Sequence, residues 1–441
     1  MFSNKYIFRL IVPLIFEQLL AVSVGMVDTF MVSTVGQVAV SGVALVDNIN
    51  RLIIQVMAAF ATGGLVIASQ YCGCKETERA KQTCAQLETL MMIFSLAATI
   101  FFCIFTNPML SLIFGSIEQD VMDAACIYLF FTALSYPFLG MYNAGAAIFR
   151  STGNSKISMQ ISILMNIINI SLNAVFVYCC GLGVAGVALA TLISRVAAGF
   201  IMSGFIFSKK NPMEVREIRK FIPKKSYVVR ILKIGIPSGI ENGMFQIGKI
   251  VVVGMVATLG TDAIAANSIA FQIIDFPNIP GTSIGLAMVT IIGQCVGAKD
   301  MDAAKFYTKK LMIMTYIGDW ACKWLLFAFA PLLVNIFSLS PSASDTAVFV
   351  LRCFSIASLV GWPLSFALPN ALRAAGDVNF SLGVSMISMW IFRIVCSYIL
   401  VMVLDMGVLG VWIGMFVDWY ARAVAYLARY LSGRWKKHRM V

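Results

Sequence analysis

Residues 70–81, QYCGCKETERAK, return as residues 294–305, QCVGAKDMDAAK, and this recurrence decides the fold. The two stretches share Gln, Gly, Lys, Ala and Lys at the same spacing, and the same register of 224 residues aligns Pro13 with Pro237. A constant register across whole halves indicates two copies of one helical unit. In membranes, such an arrangement commonly houses a transport path between the copies.

The composition is typical of a membrane protein. The chain is 60% hydrophobic and 12% charged, with a mean hydropathy of +0.87, whereas soluble domains carry about a quarter charged residues. Apolar runs such as 124–148, 157–178 and 381–404 are long enough to cross a hydrocarbon core of about 30 Å. Because backbone groups in lipid must be satisfied internally, these runs predict an all-α, polytopic fold.

Hydropathy predicts twelve transmembrane helices, which start near residues 7, 44, 84, 121, 157, 184, 231, 264, 311, 346, 380 and 408. Connections without Lys or Arg alternate with basic ones, so the positive-inside rule places both termini in the cytoplasm. Six spans per copy give the copies the same orientation, and therefore a pseudo-two-fold axis along the membrane normal. The net charge of +12 thus reports topology and contact with lipids, not nucleic-acid binding.

The predicted domains are an N-terminal six-helix lobe (1–207), a basic amphipathic linker on the inner surface (208–230) and a C-terminal six-helix lobe (231–441). The pair Gly63-Gly64 lacks the GKS/T continuation of an ATP-binding loop. We therefore expect no nucleotide hydrolysis and no cofactor. Transport would then be driven by an ion gradient, or the substrate would move down its own concentration gradient.

Asp28, in the stretch Gly25-Met-Val-Asp-Thr29, is the most suggestive charged residue. A charge at the centre of a membrane helix costs about 2.5–3.5 kcal/mol, and such residues are usually functional. Pro13 precedes it in the same helix and lets that helix bend, as Pro237 does in the second copy. Asp28 is therefore predicted to bind a proton or a cation. The alternative is a structural carboxylate bonded to neighbouring amides.

Span five supplies amides that can join Asp28. Asn166, Asn169 and Asn173 are spaced by three and four residues and share one helical face. With the Thr191 hydroxyl of span six, they suggest an oxygen cage for a hard monovalent cation, and no other metal site is expected. The alternative is hydrogen bonding that holds the helices together.

Four further charged residues are paired by the repeat. Glu17 and Glu241 each follow the repeated proline by one turn. Either both serve the same structural purpose in the two copies, or Glu241 is a second cation-coupling carboxylate. Arg51 and Asp275 are also equivalent, and we expect them to pair and close one side of a cavity. The alternative is that the two residues partner independently with backbone groups.

Two pairs of opposite charge stand one helical turn apart, Asp319 with Lys323 and Asp418 with Arg422. We interpret both as local salt bridges whose charges neutralise each other.

Taken in order, these motifs resemble the multidrug and toxic compound extrusion (MATE) family, in its bacterial NorM-like branch. The resemblance extends over nearly the whole chain and rests on Pro13, 25–29, Gln70 and Gln294 with their glycines, 136–137, 150–154, 373–377, 169–173, 183–186 and Thr191. It implies Na⁺- or H⁺-driven efflux of organic, often cationic, compounds from a cavity between two six-helix lobes.

Carried over by position, the family's N-lobe acid matches Asp28, its span-five Asn matches Asn169 and its span-six Thr matches Thr191. Many members have Asp where this chain has Asn173, so the site here holds one fewer negative charge. The C-lobe acids of some branches fall on Phe245 and Trp362. A C-lobe cation site would then depend on Glu241.

The sequence thus predicts a monomeric antiporter of the bacterial cytoplasmic membrane that exports small organic, cationic compounds by alternating access. A lipid-linked saccharide flippase of the same superfamily is the alternative, although it would call for a strongly basic cavity. A major-facilitator transporter is disfavoured because the loop after span two lacks a Gly-Asp-Arg-type motif. An intramembrane enzyme is disfavoured because no His lies in any span.

Overall fold

The computed structural model describes residues 2–115, 118–208, 213, 217–337, 339–438 and 440–441, and in these residues all regular elements are helical. In chain order the helices are α1 (Asn4–Ser33), α2 (Gln37–Gly73), α3 (Thr77–Phe114), α4 (Gln119–Leu134), α5 (Tyr136–Ser151), α6 (Lys156–Cys179), α7 (Gly183–Ile206), α8 (Lys225–Ala257), α9 (Thr261–Ile274), α10 (Ile279–Gly297), α11 (Met301–Asn335), α12 (Pro341–Ala375), α13 (Val378–Val403) and α14 (Gly407–Leu431). The predicted all-α class is confirmed.

Eleven of these helices are each long and apolar enough to cross a membrane. The pair α4 and α5, which meet at a bend of 46°, brings the number of spans to twelve when it is counted as one. Large apolar side chains on the outside of the helices, among them Phe200, Ile317 and Leu325, are more than half exposed. Such a surface suits contact with lipid. The count of twelve agrees with the twelve spans predicted from hydropathy.

The repeat is visible in the backbone as well as in the sequence. Residues with positive φ recur in pairs 224 residues apart: Gly36 (132°) and Gly260 (98°), Lys75 (61°) and Lys299 (60°), Gly183 (55°) and Gly407 (56°). Positive φ is uncommon for a residue with a side chain, so the matched lysines are the most telling pair. The two halves therefore share turn geometry at the same positions.

One local difference separates the halves. Gly153 and Gly376, also at positive φ, are 223 residues apart, whereas the π-helical ends of α6 (Val175–Cys179) and α13 (Ile399–Val403) are again 224 apart. A further π-helical stretch, Ser388–Val395, occurs earlier in α13. Its i→i+5 hydrogen bonds take up one extra residue, which restores the register.

The described chain divides into two compact units, Phe2–Gly239 and Ile240–Val441. The boundary falls inside α8, so the first turns of that helix belong to the first unit. Of the predicted linker, residues 209–212 and 214–216 lie outside the described residues. The second unit has a core rich in aromatic side chains, with Phe354, Trp412 and Trp419 buried among aliphatic ones.

The end of the linker is fastened to α3. Three α3 side chains donate hydrogen bonds to its backbone. Gln82 Nε2 and Gln86 Nε2 each donate to Lys220 O at 2.7 Å. Gln86 Nε2 also donates to Ile222 O, and Thr89 Oγ1 donates to Phe221 O, both at 2.8 Å. Lys224 N donates to Gln86 Oε1 at 2.6 Å. The segment thus has its polar backbone satisfied by α3 and forms part of the first unit.

Candidate functional site

A chain of hydrogen bonds joins α1, α6 and α7. Asn173 Nδ2 donates to Asp28 Oδ1 at 2.8 Å and lies 3.3 Å from Asn169 Oδ1, and Asn169 Nδ2 donates to Thr191 Oγ1 at 3.4 Å. The two asparagines are one turn apart on α6, which puts both amides on the face toward α1 and α7. Four of the five N-lobe residues predicted to form the cage are thus side by side, whereas Asn166, buried on the same helix, takes no part in these hydrogen bonds.

The network has a spare acceptor. Asn169, Asn173 and Thr191 are buried and Asp28 is half-buried. Asn173 Oδ1 is buried and has no hydrogen-bond partner among the described residues. Buried polar atoms are nearly always paired, so a lone carbonyl oxygen beside a carboxylate marks a place for a cation or a proton donor.

A second carboxylate, which the sequence analysis did not single out, belongs to the same site. Asp47 on α2 interacts electrostatically with Asp28, and Arg195 on α7 interacts with both. Tyr128 Oη donates to Asp47 Oδ1 at 3.4 Å, and Arg195 Nη1 donates to Ser135 Oγ at 2.8 Å. The rule that selected Asp28, an acid inside a span, applies equally to Asp47 and would have found it.

The arrangement has the donor set of a hard-cation site. Two carboxylates interact with the half-buried Arg195, Asp47 interacts with Arg51 as well, and neutral amide and hydroxyl oxygens lie beside them. Oxygen ligands of this kind suit Na⁺, and either carboxylate can take a proton. In the described part of the chain, no group of three or more His, Cys, Asp or Glu side chains could hold a metal ion.

Glu17 and Glu241 each form an ion pair with the arginine that the repeat makes equivalent. Glu17 Oε1 is 2.5 Å from Arg150 Nη2, and Glu241 Oε1 is 2.7 Å from Arg373 Nη2. A serine also donates to each carboxylate, Ser158 to Glu17 (3.1 Å) and Ser385 to Glu241 (2.6 Å). Glu241 therefore belongs to the second unit and forms a charge-balanced pair with Arg373.

The remaining candidates occupy separate places. Pro13 lies inside α1 and Pro237 inside α8, as the hinge prediction requires. Arg51 lies on α2 one turn after Asp47, with which it interacts electrostatically. Asp275 follows the last residue of α9, in the other unit. Pairing between Arg51 and Asp275 stays a prediction.

Comparison with known proteins gives one family. A family model described as MatE matches the chain twice, over residues 13–175 and 237–399, in the register of the internal repeat. An uncharacterized transporter of Bacillus subtilis, YisQ, is 30% identical over 97% of this chain and 94% of its own length. A probable multidrug resistance protein NorM of Thermotoga maritima is 24% identical over 98% and 93%.

Solved structures share the fold. A MOP superfamily transporter from Pyrococcus furiosus superposes with a TM-score of 0.92 at 21% identity, covering 98% of this chain and 96% of that one. An outward-facing multidrug resistance MATE family transporter gives a TM-score of 0.90 at 22% identity, with 98% and 96% covered. With the family model matching more than half of the chain, the protein belongs to the MatE family and is a polytopic membrane transporter of the multidrug and toxic compound extrusion type.

Proposed function

We propose that the protein is a cation-coupled antiporter, driven by Na⁺ or H⁺, that exports small organic compounds by alternating access. The observation that carries the proposal is the network of Asp28, Asn173, Asn169 and Thr191, with its unpartnered carbonyl oxygen. Intramembrane carboxylates of this kind commonly mark ion pathways. Asp47 adds the second negative charge that the asparagine at position 173 does not supply.

Coupling follows from a difference in cation affinity between two conformations. Asp28 is on α1, whereas its partners are on α6 and α7, so movement of α1 changes the number of oxygens around the cation. Pro13 removes a backbone hydrogen bond from α1 and gives that helix a place to bend. A cation that binds one position of α1 more tightly shifts the population toward it.

The cellular setting proposed is the bacterial cytoplasmic membrane, with a monomer whose termini both lie in the cytoplasm, as the charge alternation predicts. Several relatives that match over nearly the full chain are described as probable multidrug resistance proteins, which favours organic substrates over a lipid-linked saccharide. Cationic dyes are therefore the first compounds to test.

The test is ethidium efflux from loaded proteoliposomes, with Na⁺ and pH gradients imposed separately. Wild type should respond to one gradient, and Asp28→Asn should lose that response while remaining monodisperse in detergent. Asp123→Asn, at an exposed carboxylate on α4, is the matched control and should behave as wild type. Gradient-driven efflux that survives in Asp28→Asn would contradict the proposed coupling site.

A further inference from the structure

The second unit contains a buried cluster with more positive than negative charge. Asp418 Oδ2 on α14 is 2.5 Å from Arg422 Nη2 and 3.7 Å from Arg393 Nη1, which comes from the π-helical stretch of α13. The three residues are at most 3% exposed. Two guanidinium groups thus share one carboxylate in a place where an uncompensated charge is costly.

Three hydrogen-bond donors of this cluster are unused. The Nε atoms of Arg393 and Arg422 and the indole Nε1 of Trp419, the neighbour of Asp418, are buried and lack a partner in the described part of the chain. Native proteins rarely bury a donor without an acceptor, and a charged donor is the most costly to leave unpaired. The cluster is therefore short of an acceptor that carries negative charge.

Phe245 on α8 covers the cluster. The guanidinium carbons of Arg393 and Arg422 are each 5.2 Å from its ring centroid, and Lys249 Nζ, one turn further along α8, is 5.3 Å from it. Phe245 and Lys249 are half-buried, whereas the arginines are buried. The nearby Glu241 is balanced by Arg373, so Asp418 is the counter-ion that the two arginines share.

Two aromatic rings of the second unit contact cations. Phe245 is the first, and Trp362, with Lys323 Nζ 4.8 Å from its ring centroid, is the second. Lys323 is also paired with Asp319 at 3.1 Å, so its charge is balanced, whereas Arg393 and Arg422 share the single carboxylate of Asp418. Cation–π contact stabilises these groups but supplies no acceptor for their N–H donors.

The repeat shows that this cluster occupies the place of the N-lobe site with the opposite sign. Arg393 stands 224 residues after Asn169, and Val252 stands 224 residues after Asp28. Trp419, at the same register, replaces Arg195. The second unit thus has an apolar side chain, Val252, at the position equivalent to Asp28. The Arg393 guanidinium takes the position of the Asn169 amide.

We propose that the cluster of Arg393, Arg422 and Trp419 binds an anionic group, a carboxylate, sulfonate or phosphate, of the transported compound. The inference rests on the proposed transport function and adds the substrate class. Guanidinium groups match the geometry of these anions, and the indole N–H supplies a further donor. Because the two guanidinium groups are buried beneath Phe245, the proposal requires this ring to move aside when the anionic group binds.

Binding is tested with two dyes that share a xanthene frame and differ in charge, fluorescein (anionic) and rhodamine 123 (a cationic methyl ester without a free carboxylate). Fluorescence anisotropy is measured on the full chain in phosphatidylcholine nanodiscs without any gradient, so failure of coupling at Asp28 does not affect the readout. Arg393→Gln and Arg422→Gln should each weaken fluorescein binding by about tenfold or more and leave rhodamine 123 binding unchanged. Arg352→Gln, an exposed arginine stacked on Phe327, is the matched control.

A second variant keeps the proposal testable if the arginine variants fail to fold. Phe245→Asp places a carboxylate against both guanidinium groups, so it should abolish fluorescein binding and raise the thermal unfolding midpoint. A Phe245→Asp protein that is less stable and still binds fluorescein would overturn the inference. Unchanged fluorescein affinity in folded Arg393→Gln and Arg422→Gln would do the same.

A lipid headgroup is the other source of the same anionic chemistry. Repeating the titration in phosphatidylglycerol nanodiscs, together with fluorescein export from proteoliposomes, separates the two. Export that requires Arg393 and Arg422 supports a substrate site. Binding that phosphatidylglycerol displaces, with no fluorescein export, would assign the cluster to lipid and refute the proposal.

Discussion

Asn173 donates a hydrogen bond of 2.8 Å to Asp28 and leaves its own carbonyl oxygen without a partner in the described residues. The amide thus stabilises the ionised carboxylate when the site is empty, and its oxygen can join a bound cation. An asparagine lowers the negative charge by one and supplies the donor that an aspartate would lack.

Asn173→Asp should tighten binding of the coupling cation. The second carboxylate next to Asp28 adds attraction for a cation and repulsion in its absence, which together should lower the concentration for half-maximal efflux by about tenfold. The measurement is ethidium efflux titrated with Na⁺ and, separately, with pH.

Asn166→Asp is the matched control for this variant, since Asn166 is buried on the same helix two turns earlier. It should leave the cation dependence unchanged. Equal shifts in both variants would mean that any buried charge on α6 has this effect, and the special position of Asn173 would be lost.

Asp47→Asn should weaken the same cation dependence. Asp47 interacts electrostatically with Asp28, and Arg195 offsets part of their combined charge. Removing one of two carboxylates leaves Arg195 facing Asp28 alone, so more cation should be needed for half-maximal efflux. The double variant Asp47→Asn with Arg195→Gln should recover part of the loss, because it restores the charge balance. An Asp47→Asn protein with wild-type cation dependence would show that Asp47 is structural.

Much of the first site could be predicted because helical spacing determines it. Asn169 and Asn173 are one turn apart, so any helix puts them on one face. Asp28 stands out in the sequence because a charged residue inside a membrane span is energetically costly. Asp47 obeys the same rule but lies close to the start of span two, where a charge is less unexpected. Its proximity to Asp28 depends on how α1 packs on α2, which no local pattern encodes.

The C-terminal arginines show the opposite case. The predicted pair of Asp418 and Arg422 is confirmed at 2.5 Å, and so is that of Asp319 and Lys323 at 3.1 Å. The prediction that Asp418 and Arg422 neutralise each other is incomplete, because Arg393 in the π-helical stretch of α13 adds a second positive charge beside Asp418. Sequence spacing cannot reveal a third charge brought in by another helix.

Glu17→Gln and Glu241→Gln form a matched pair that separates structural from coupling roles. Each glutamate is bonded to its repeat-equivalent arginine and to a serine, so each variant leaves a largely buried guanidinium without its counter-ion. Breaking a buried ion pair typically costs about 3–5 kcal/mol, so both variants should unfold at lower temperature by similar amounts. The measurement is thermal unfolding in detergent beside gradient-driven efflux.

Cation dependence is the readout that distinguishes the two glutamates. If Glu241 is a second coupling residue, Glu241→Gln should also change the number of cations exchanged per ethidium, whereas Glu17→Gln should not. Identical transport behaviour in the two variants would assign both ion pairs to structure alone.

Gln86→Ala should release the end of the linker from α3. The Gln86 side chain donates to Lys220 O and Ile222 O and accepts from Lys224 N. Its removal leaves Ile222 O and Lys224 N to find other partners, whereas Lys220 O keeps its bond from Gln82. Local opening should then expose the bonds after Lys220 and Lys224 to trypsin, with cleavage several-fold faster than in wild type. Gln119→Ala, at an exposed side chain on α4, is the control and should leave the cleavage rate unchanged. The segment leads directly into α8. Slower efflux in Gln86→Ala, with unchanged cation dependence, would therefore show that this attachment affects the conformational cycle. Unchanged trypsin cleavage would show that Gln82 and Thr89 are sufficient to hold the segment on α3.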